Sequence, residues 1–111
     1  MYDFMQRVIV KNLTNYSLSN ISIRHDGKVN GNYKALIKEL KPMESREVQL
    51  YTLGARESCN LILSYIYKNV SNTVIVYGKL NGNDLRLITL ELREKNGEIA
   101  INTIVDNSLW T

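Results

Sequence analysis

Hydrophobic and polar residues alternate in short segments along most of the chain. In the first such segment, Val8 and Val10 fall on one face of an extended backbone and Arg7 and Lys11 on the other. Alternation with a period of two is typical of a strand with one buried face, because successive side chains of a strand point to opposite sides. The same criterion predicts strands over residues 6–12, 18–25, 46–53, 59–67, 73–80, 85–93 and 98–105.

Residues 33–41 fit two interpretations. Leu36 and Leu40 have the spacing of a helix, whereas Ala35 and its neighbours at alternate positions fit a strand. Pro42 ends either element, because proline lacks a backbone N–H and its ring clashes with a continuing helix. We favour a strand here and keep a short helix as the alternative.

Residues 59–67 form the most apolar of these segments. Both faces carry apolar side chains, with Leu61 and Leu63 on one and Ile62 and Ile66 on the other. A strand covered on both faces lies inside a sheet and not at its edge. We therefore expect this strand to be central.

Two Asn-Gly pairs lie between the last three predicted strands, at Asn81-Gly82 and Asn96-Gly97. Asn-Gly is the strongest short-range signal for a hairpin, because both central residues of the favoured turn need positive φ. The pairs predict a C-terminal three-stranded meander. With about eight strands at short intervals, the chain is predicted to be all-β, a two-sheet antiparallel sandwich that forms a single domain over residues 1–111.

Three segments carry a resemblance to a known architecture. They are Val-Ile-Val-Lys-Asn-Leu-Thr from Val8, Leu-Ser-Asn-Ile-Ser-Ile from Leu18, and Leu-Lys-Pro-Met-Glu-Ser from Leu40. Over residues 8–52 the sequence resembles immunoglobulin-like β-sandwich modules, although Met43 stands where those modules commonly have glycine. The resemblance implies the sandwich fold, and a shared fold does not by itself imply a shared function.

Composition and charge exclude several classes of protein. Apolar residues make up 44% of the 111-residue chain and charged residues 23%, values that are ordinary for a globular domain. No uncharged stretch approaches the roughly 20 apolar residues of a membrane-spanning helix. The net charge is +3, and the basic side chains are dispersed singly. We therefore expect no membrane span, and nucleic acid is not an expected partner.

The residues that usually carry chemistry are sparse. The chain has one cysteine, Cys59, and one histidine, His25, in different predicted strands, so we expect neither an internal disulfide nor a zinc site. The apolar neighbours of Cys59 predict a buried, inert thiol, and His25 beside the turn Asp26-Gly27 is interpreted as solvated or bonded to the turn. Calcium held by loop acids such as Asp26 and Asp84 is a minor alternative.

Acidic residues are the remaining candidates for catalysis. Two carboxylates facing one another would suit glycoside hydrolysis, and the candidates are Glu44, Glu47, Glu57, Glu91, Glu94 and Glu98. Most flank turns or fall on polar strand faces, where the ordinary role of a charged residue is to keep strand edges from pairing. We predict no enzymatic activity and no cofactor or metal.

Aromatic residues give the positive indication of a binding site. Tyr65 and Tyr67 share one face of one strand, and Tyr77 lies beside them if the strands around the 68–72 turn are antiparallel partners. Such a row either packs in the core or forms an exposed patch for a protein or a sugar. Trp110, in the tail, either caps the end of the sandwich or is a contact residue.

These observations favour a non-enzymatic binding or protein-interaction module. Its expected partner is another protein, with self-association through an edge strand as one form. The alternatives are a lectin-like sandwich that binds carbohydrate through the tyrosine row and an inhibitor or immunity-type protein. The first seven residues lack the long apolar run of a signal peptide, so we expect a cytoplasmic location, or secretion if a leader has been removed.

Two further features concern source and modification. Abundant Asn, Ile, Lys and Tyr are compatible with an AT-rich genome, such as that of a low-GC bacterium or its virus. Four asparagines fit the glycosylation acceptor pattern, namely Asn12, Asn15, Asn20 and Asn69. We interpret them as turn residues, because Asn, Ser and Thr side chains bond their own backbone in loops.

Overall fold

The computed structural model describes residues 5–27, 34–51, 59–80 and 87–106. Within these ranges the chain forms strands and turns, and no helix there has the length and apolar character needed to cross a membrane. The strands are β1 (Met5–Asn12), β2 (Leu18–His25), β3 (Lys34–Leu40), β4 (Ser45–Tyr51), β5 (Cys59–Tyr67), β6 (Val70–Leu80), β7 (Leu87–Lys95) and β8 (Glu98–Asp106).

The strands form two four-stranded sheets, with orders β4-β1-β7-β8 and β3-β2-β5-β6. The predicted all-β, two-sheet sandwich is therefore confirmed. Every described pair of neighbouring strands is antiparallel except β1 with β7, which is parallel. A parallel pair cannot be joined by a tight turn, and here the whole second sheet lies between the two strands in sequence.

The predicted C-terminal meander is correct for the pairing of β7 with β8 and wrong for the pairing of β6 with β7. β7 and β8 pair through the predicted Asn96-Gly97 turn, in which both residues have positive φ, 55° and 81°. β6, however, belongs to the other sheet and pairs with β5. The predicted hairpin turn at Asn81-Gly82 lies outside the described residues, and the chain passes from one sheet to the other between β6 and β7.

The turn that pairs β5 with β6 is formed by Lys68 and Asn69. Both residues have positive φ, 50° and 64°, as a type I′ hairpin turn requires. Neither residue is glycine, so the sequence carries no Asn-Gly signal at this point. For that reason the strand begins at Val70 and not at Thr73, as the alternation had predicted.

The ambiguous stretch is strand β3, as favoured from its sequence. Ala35, Ile37 and Leu40 are buried, whereas Leu36 is 67% exposed. The helical interpretation required Leu36 and Leu40 to share a buried face, and in the structure only Leu40 is buried. β3 pairs with β2, and this pairing places Ala35 opposite Ile23 and Ile37 opposite Ile21.

The core lies between the two sheets and is built mainly from the inward-facing residues of the interior strands, with Leu40, Leu50 and Leu80 added from edge strands. The interior strands are β1 and β7 in one sheet and β2 and β5 in the other, so the central position predicted for β5 is confirmed. The described hydrophobic side chains with at most 1% exposure are Val8, Val10, Leu18, Ile21, Ile23, Leu40, Leu50, Leu61, Leu63, Leu80, Ile88, Leu90 and Leu92.

A buried asparagine organises the connection from β1 to β2. The amide of Asn12 donates to the carbonyls of Tyr16 and Leu40, at 2.8 and 2.9 Å. Its side-chain oxygen accepts the backbone N–H and the hydroxyl of Thr14, at 3.0 and 2.7 Å. Asn12 has no exposed surface, so the Asn-Leu-Thr motif here is turn structure, as interpreted from the sequence, and the bond to Leu40 links the two sheets.

Candidate functional site

The two sides of the sandwich differ, and the side formed by β3 and β4 is closed. A short turn joins these edge strands, with the N–H of Glu44 donating to the carbonyl of Lys41 and the N–H of Lys41 donating to the Glu44 carboxylate, both at 3.0 Å. The exposed charged residues of the two strands are Lys34, Lys38, Glu39, Arg46 and Glu47. Charged side chains on an edge strand oppose pairing with another chain, so this side is protected.

The opposite side, between β6 and β8, is open. A cleft of ≈ 500 Å³ lies there, lined by the β5–β6 hairpin and by Gly97, Glu98 and Ile99 at the β7–β8 hairpin. A second cleft of ≈ 210 Å³ shares Tyr65 and Ile99 with the first and continues along β6 and β8. The inward-facing residues of β8, from Ile99 to Val105, are only half-buried, because the sheets do not close over them.

The structure buries two of the tyrosines that were predicted as a binding row. Tyr65 is 6% exposed and Tyr67 5%, and both belong to the core, so they do not form an exposed aromatic platform. Burial raises the pKa of the Tyr65 hydroxyl. The interpretation that these tyrosines pack in the core, which the sequence also allowed, fits both residues because their side of β5 faces the other sheet.

The other two candidates do not join them. β5 and β6 are antiparallel partners, as the row required, but Tyr77 lies opposite Leu61 and not beside Tyr65. It is half-buried and packs against the core. Trp110 lies outside the described residues. The four predicted site residues are therefore not brought together as a patch by the part of the chain that the structure describes.

An aromatic contact that the sequence pattern does not reveal lies at the β5–β6 turn, which lines the larger cleft. Tyr16 meets Tyr67 edge to face, with ring centroids 5.8 Å apart. The ammonium of Lys68 lies 4.2 Å from the centre of the Tyr16 ring and 3.2 Å from the Glu94 carboxylate. A cation over an aromatic face is attracted by the ring's negative surface, and these contacts hold the β5–β6 turn in place.

The edge strand β6 is unusual in its exposure and its lack of charge. It is 11 residues long, and no charged residue occurs between Lys68 and Lys79. Val70 and Ile75 are 59% and 58% exposed, and Val74 is 37% exposed. Natural edge strands commonly carry lysine, proline or an early bulge to prevent pairing, and residues 70–75 have none of these.

The backbone geometry defines which groups of β6 point away from β5. In a two-residue hairpin the residues flanking the turn, Tyr67 and Val70, form a hydrogen-bonded pair, and such pairs alternate with non-bonded pairs along an antiparallel ladder. In the register of β5 with β6, the non-bonded positions on β6 are Ser71, Thr73 and Ile75. Among the described residues no strand lies beyond β6 in its sheet. The outward N–H and C=O groups of Ser71, Thr73 and Ile75 are called the free edge.

A bulge ends the free edge. The register shifts between the pairs Ile62 with Ile75 and Leu61 with Tyr77, which leaves Val76 as the extra residue. The hydroxyl of Thr103 in β8 donates to the carbonyl of Val76 at 2.7 Å. This bond ties the two edge strands together at one point, and it confines the regular, open part of β6 to residues 70–75.

The structure brings His25 and Cys59 together, although they come from different strands. Sγ of Cys59 lies 3.9 Å from Nδ1 of His25, and Nδ1 accepts the backbone N–H of Gly27 at 3.1 Å. The thiol donates to the carbonyl of Leu80 at 3.5 Å. Burial, reinforced by the nearby Asp26 carboxylate, raises the pKa of the Cys59 thiol. The pair therefore holds a protonated thiol, which is a poor nucleophile.

Glu44, Glu47, Glu91 and Glu94 have structural partners, and Glu57 lies outside the described residues. Glu47 pairs with Arg7 at 2.8 Å, Glu94 with Lys68, and Glu91 with Arg93 at 3.3 Å. The bonds from Arg7 lower the pKa of Glu47, and those from Asn102 and Arg93 lower the pKa of Glu91. Within the described ranges, His, Cys, Asp and Glu side chains form no group of three that could hold a metal ion.

Comparison with known proteins supports the fold and gives nothing on activity. No protein-family model matches the sequence, and no curated protein matches it. Among solved structures, the chain is similar to a protein from Eubacterium rectale determined by NMR, with a TM-score of 0.61 and 13% identity. The match covers 95% of this chain and 93% of that one. The similarity therefore extends over almost the entire sandwich.

Proposed function

We propose that the protein is a non-enzymatic interaction module that binds another polypeptide strand along the free edge of β6. The observation that carries the proposal is the uncharged, exposed stretch from Val70 to Ile75, on an edge strand that has no neighbour beyond it among the described residues. In strand addition the backbone groups of the edge supply affinity, and alternate side chains supply specificity. An inhibitor or immunity-type role would be one use of the same surface.

The contrast between the two sides of the sandwich supports this proposal. β3 and β4 carry charged residues and are joined by a bonded turn, whereas β6 carries three of the exposed large hydrophobic residues and β8 one more, Ile104, at 43% exposure. A sandwich without a partner gains nothing from apolar residues on an edge strand, because such an edge promotes aggregation. The β3–β4 side also has exposed hydrophobic residues, Leu36 and Met43, but its strands carry exposed charges beside them. Residues 70–75 of β6 combine exposed apolar side chains with an absence of charge, which supports a surface that is covered in use.

The alternative of a carbohydrate-binding sandwich has less support. Sugar recognition by aromatic residues needs ring faces that are open to the ligand, and the rings of Tyr65 and Tyr67 belong to the core. Tyr16 is 46% exposed, but Tyr67 and Lys68 already contact its ring. No specific contact in the described part of the chain favours a sugar over a polypeptide.

Photo-crosslinking in the source cell tests the proposal. A photoreactive amino acid replaces Ile75 on β6 in one variant and Leu36 on β3 in the other. Both positions are on the outer face of the same sheet, and their exposed fractions are similar, 58% and 67%. We expect crosslinks to a defined protein from position 75 and few from position 36. A second substitution, Thr73→Lys, should abolish the crosslinks from position 75.

Equal crosslinking from both positions would contradict the proposal, because it would mean that exposure alone determines the yield. Persistence of the position-75 crosslink in the Thr73→Lys background would also contradict it. A lysine at that position carries charge into the middle of the free edge and opposes strand pairing there.

A further inference from the structure

We infer that the strand that pairs with the free edge is β6 of a second copy of the same chain. The two copies of β6 would run antiparallel, related by a two-fold axis that passes between the two Thr73 residues. The two sheets would then join into one continuous sheet. This inference rests on the proposed function and names the partner.

The backbone groups of β6 are self-complementary in this arrangement. Antiparallel pairing about Thr73 places Thr73 opposite its own copy and Ser71 opposite the partner's Ile75. These are the positions whose N–H and C=O groups point away from β5 in the register of the hairpin. A two-fold axis one residue away, at Asn72 or Val74, would use fewer positions of the regular stretch 70–75.

The side chains on the outer face also match. Ser71, Thr73 and Ile75 lie opposite Ile66, Ser64 and Ile62 of β5, on the face away from the core. The Thr73 hydroxyl is 3.0 Å from that of Ser64. In the pair, two threonines face one another and Ile75 lies diagonal to the partner's Thr73, which are favourable cross-strand combinations.

On the inner face, the same register places Asn72 opposite the partner's Val74. Val74 is 37% exposed although it faces the space between the sheets, because β8 does not cover it. A second β6 laid beside the first extends the sheet over this open side. Val70, Val74 and Ile75 are the exposed large hydrophobic residues of β6 among those described, and all three become covered or flanked by the partner.

The charges of β6 allow this pairing and set its limits. Like charges directly opposite one another destabilise a strand pair. Lys68 and Lys79 are the charged residues nearest the free edge in sequence, and both lie outside the paired stretch 71–75. β8 is a poorer candidate for self-pairing, because its outward backbone positions include Thr103, whose side chain is already bonded to Val76.

A charge-swap experiment tests the inference on the purified full chain. Light scattering after size exclusion should give, for the wild type, a mass that rises with concentration toward about twice that of one chain. Thr73→Lys and Thr73→Glu should each weaken self-association by about tenfold or more, because like charges then face one another across the axis. A mixture of the two variants should restore association as a one-to-one heterodimer.

Ile104→Lys and Ile104→Glu on β8 are the matched controls. Ile104 is also an exposed hydrophobic residue on an edge strand, and its substitution should leave the wild-type dimer unchanged. Circular dichroism of the Thr73 variants confirms that they fold. Failure of the mixed Thr73 variants to associate would overturn the inference, as would dimerisation that the Ile104 variants abolish.

The two proposals fail separately. A wild-type chain that is monomeric at every concentration, while Ile75 still crosslinks to a different protein in the cell, overturns self-pairing and supports the interaction module. A chain that neither associates nor crosslinks through Ile75 overturns both. Growth beyond two copies overturns the two-fold arrangement, because a closed symmetric pair leaves no second β6 edge available.

Discussion

Asn12 shows how one polar side chain can determine local structure in a β-sandwich. It is fully buried, and its amide and side-chain oxygen make four hydrogen bonds, which satisfy three backbone groups and the Thr14 hydroxyl. Asn12→Ala would leave backbone groups buried without partners. We expect it to lower the free energy of unfolding by about 2 to 4 kcal/mol, measured by urea denaturation.

The control for this substitution is Asn15→Ala in the same connection. Asn15 is exposed, so its replacement should change the free energy of unfolding by less than about 0.5 kcal/mol. If Asn12→Ala were as mild as Asn15→Ala, water or a relaxed backbone would have to replace the lost bonds. The proposed role of Asn12 would then be wrong.

Asp26 gives a prediction about pH. Its carboxylate accepts the backbone N–H and the side-chain amide of Asn60, at 2.7 and 2.8 Å, and these bonds lower the pKa of Asp26. A pKa that is lower in the folded state stabilises that state above the ordinary pKa of 3.8, and the contribution is lost as pH falls through the folded value. Asp26→Asn should therefore be less stable than wild type at neutral pH, with the difference shrinking in acid.

The measurement for Asp26 is urea denaturation of both proteins from neutral pH down into acid. The same pair of proteins carrying Asn60→Ala provides the control, because that change removes the side-chain donor. In that background the pH dependence should be weaker. A difference between wild type and Asp26→Asn that does not vary with pH would contradict the assignment.

The burial of a residue was predicted correctly where it depends on neighbours in the same strand. The buried Cys59 follows from its apolar neighbours on one strand face, and it is 8% exposed. The burial of Tyr65 and Tyr67 required the other sheet, since alternation says that they share a face and not what covers it. The contact of Tyr16 with Tyr67 depends on how two turns meet, and the local pattern does not contain that information.

Strand alternation was sufficient to locate most of the described elements, and turn chemistry determined the pairing of the hairpin partners β5 with β6 and β7 with β8. At the β7–β8 turn, Gly97 has φ of +81° and no heavy atom within 4 Å of an added Cβ. Gly97→Ala should therefore destabilise the protein through backbone conformation alone, by about 1 kcal/mol. Thermal and urea denaturation measure the loss.

Gly78 in β6 is the matched control for Gly97. A Cβ added there meets the side-chain oxygen of Asn60 at 3.5 Å, an ordinary contact, and its φ is not in the left-handed region. Gly78→Ala should be neutral or slightly stabilising, because alanine has less conformational freedom in the unfolded chain. Equal losses at the two glycines would contradict the turn assignment.

The error in the predicted meander arose because the order of strands in a sheet cannot be inferred from the pattern of one strand. Period-two alternation describes the two faces of a strand, and it contains nothing about which strand lies beside it. The Lys68-Asn69 turn forms a hairpin without glycine, so the β5–β6 pair was not recognised from a turn signal. The Asn96-Gly97 turn, with glycine, was recognised correctly.

For the whole molecule, fold class followed from the sequence, whereas the candidate site did not. The site is a difference between two sides of the sandwich, one closed by the Lys41 to Glu44 turn and one left open at β6 and β8. That difference depends on strand order, which places β6 at an edge. Once β6 is known to be an edge strand, the absence of charge between Lys68 and Lys79 becomes informative.

The central claim is that β6 pairs along its free edge with β6 of a second copy. Amide hydrogen exchange along β6, followed by NMR at low and high protein concentration, tests this claim most directly. At low concentration the N–H groups of Ser71, Thr73 and Ile75 should exchange fast, while those of Asn72 and Val74, bonded to β5, exchange slowly. At high concentration the three free-edge amides should become protected, because a second β6 pairs with them. Free-edge amides that exchange equally fast at both concentrations would contradict it.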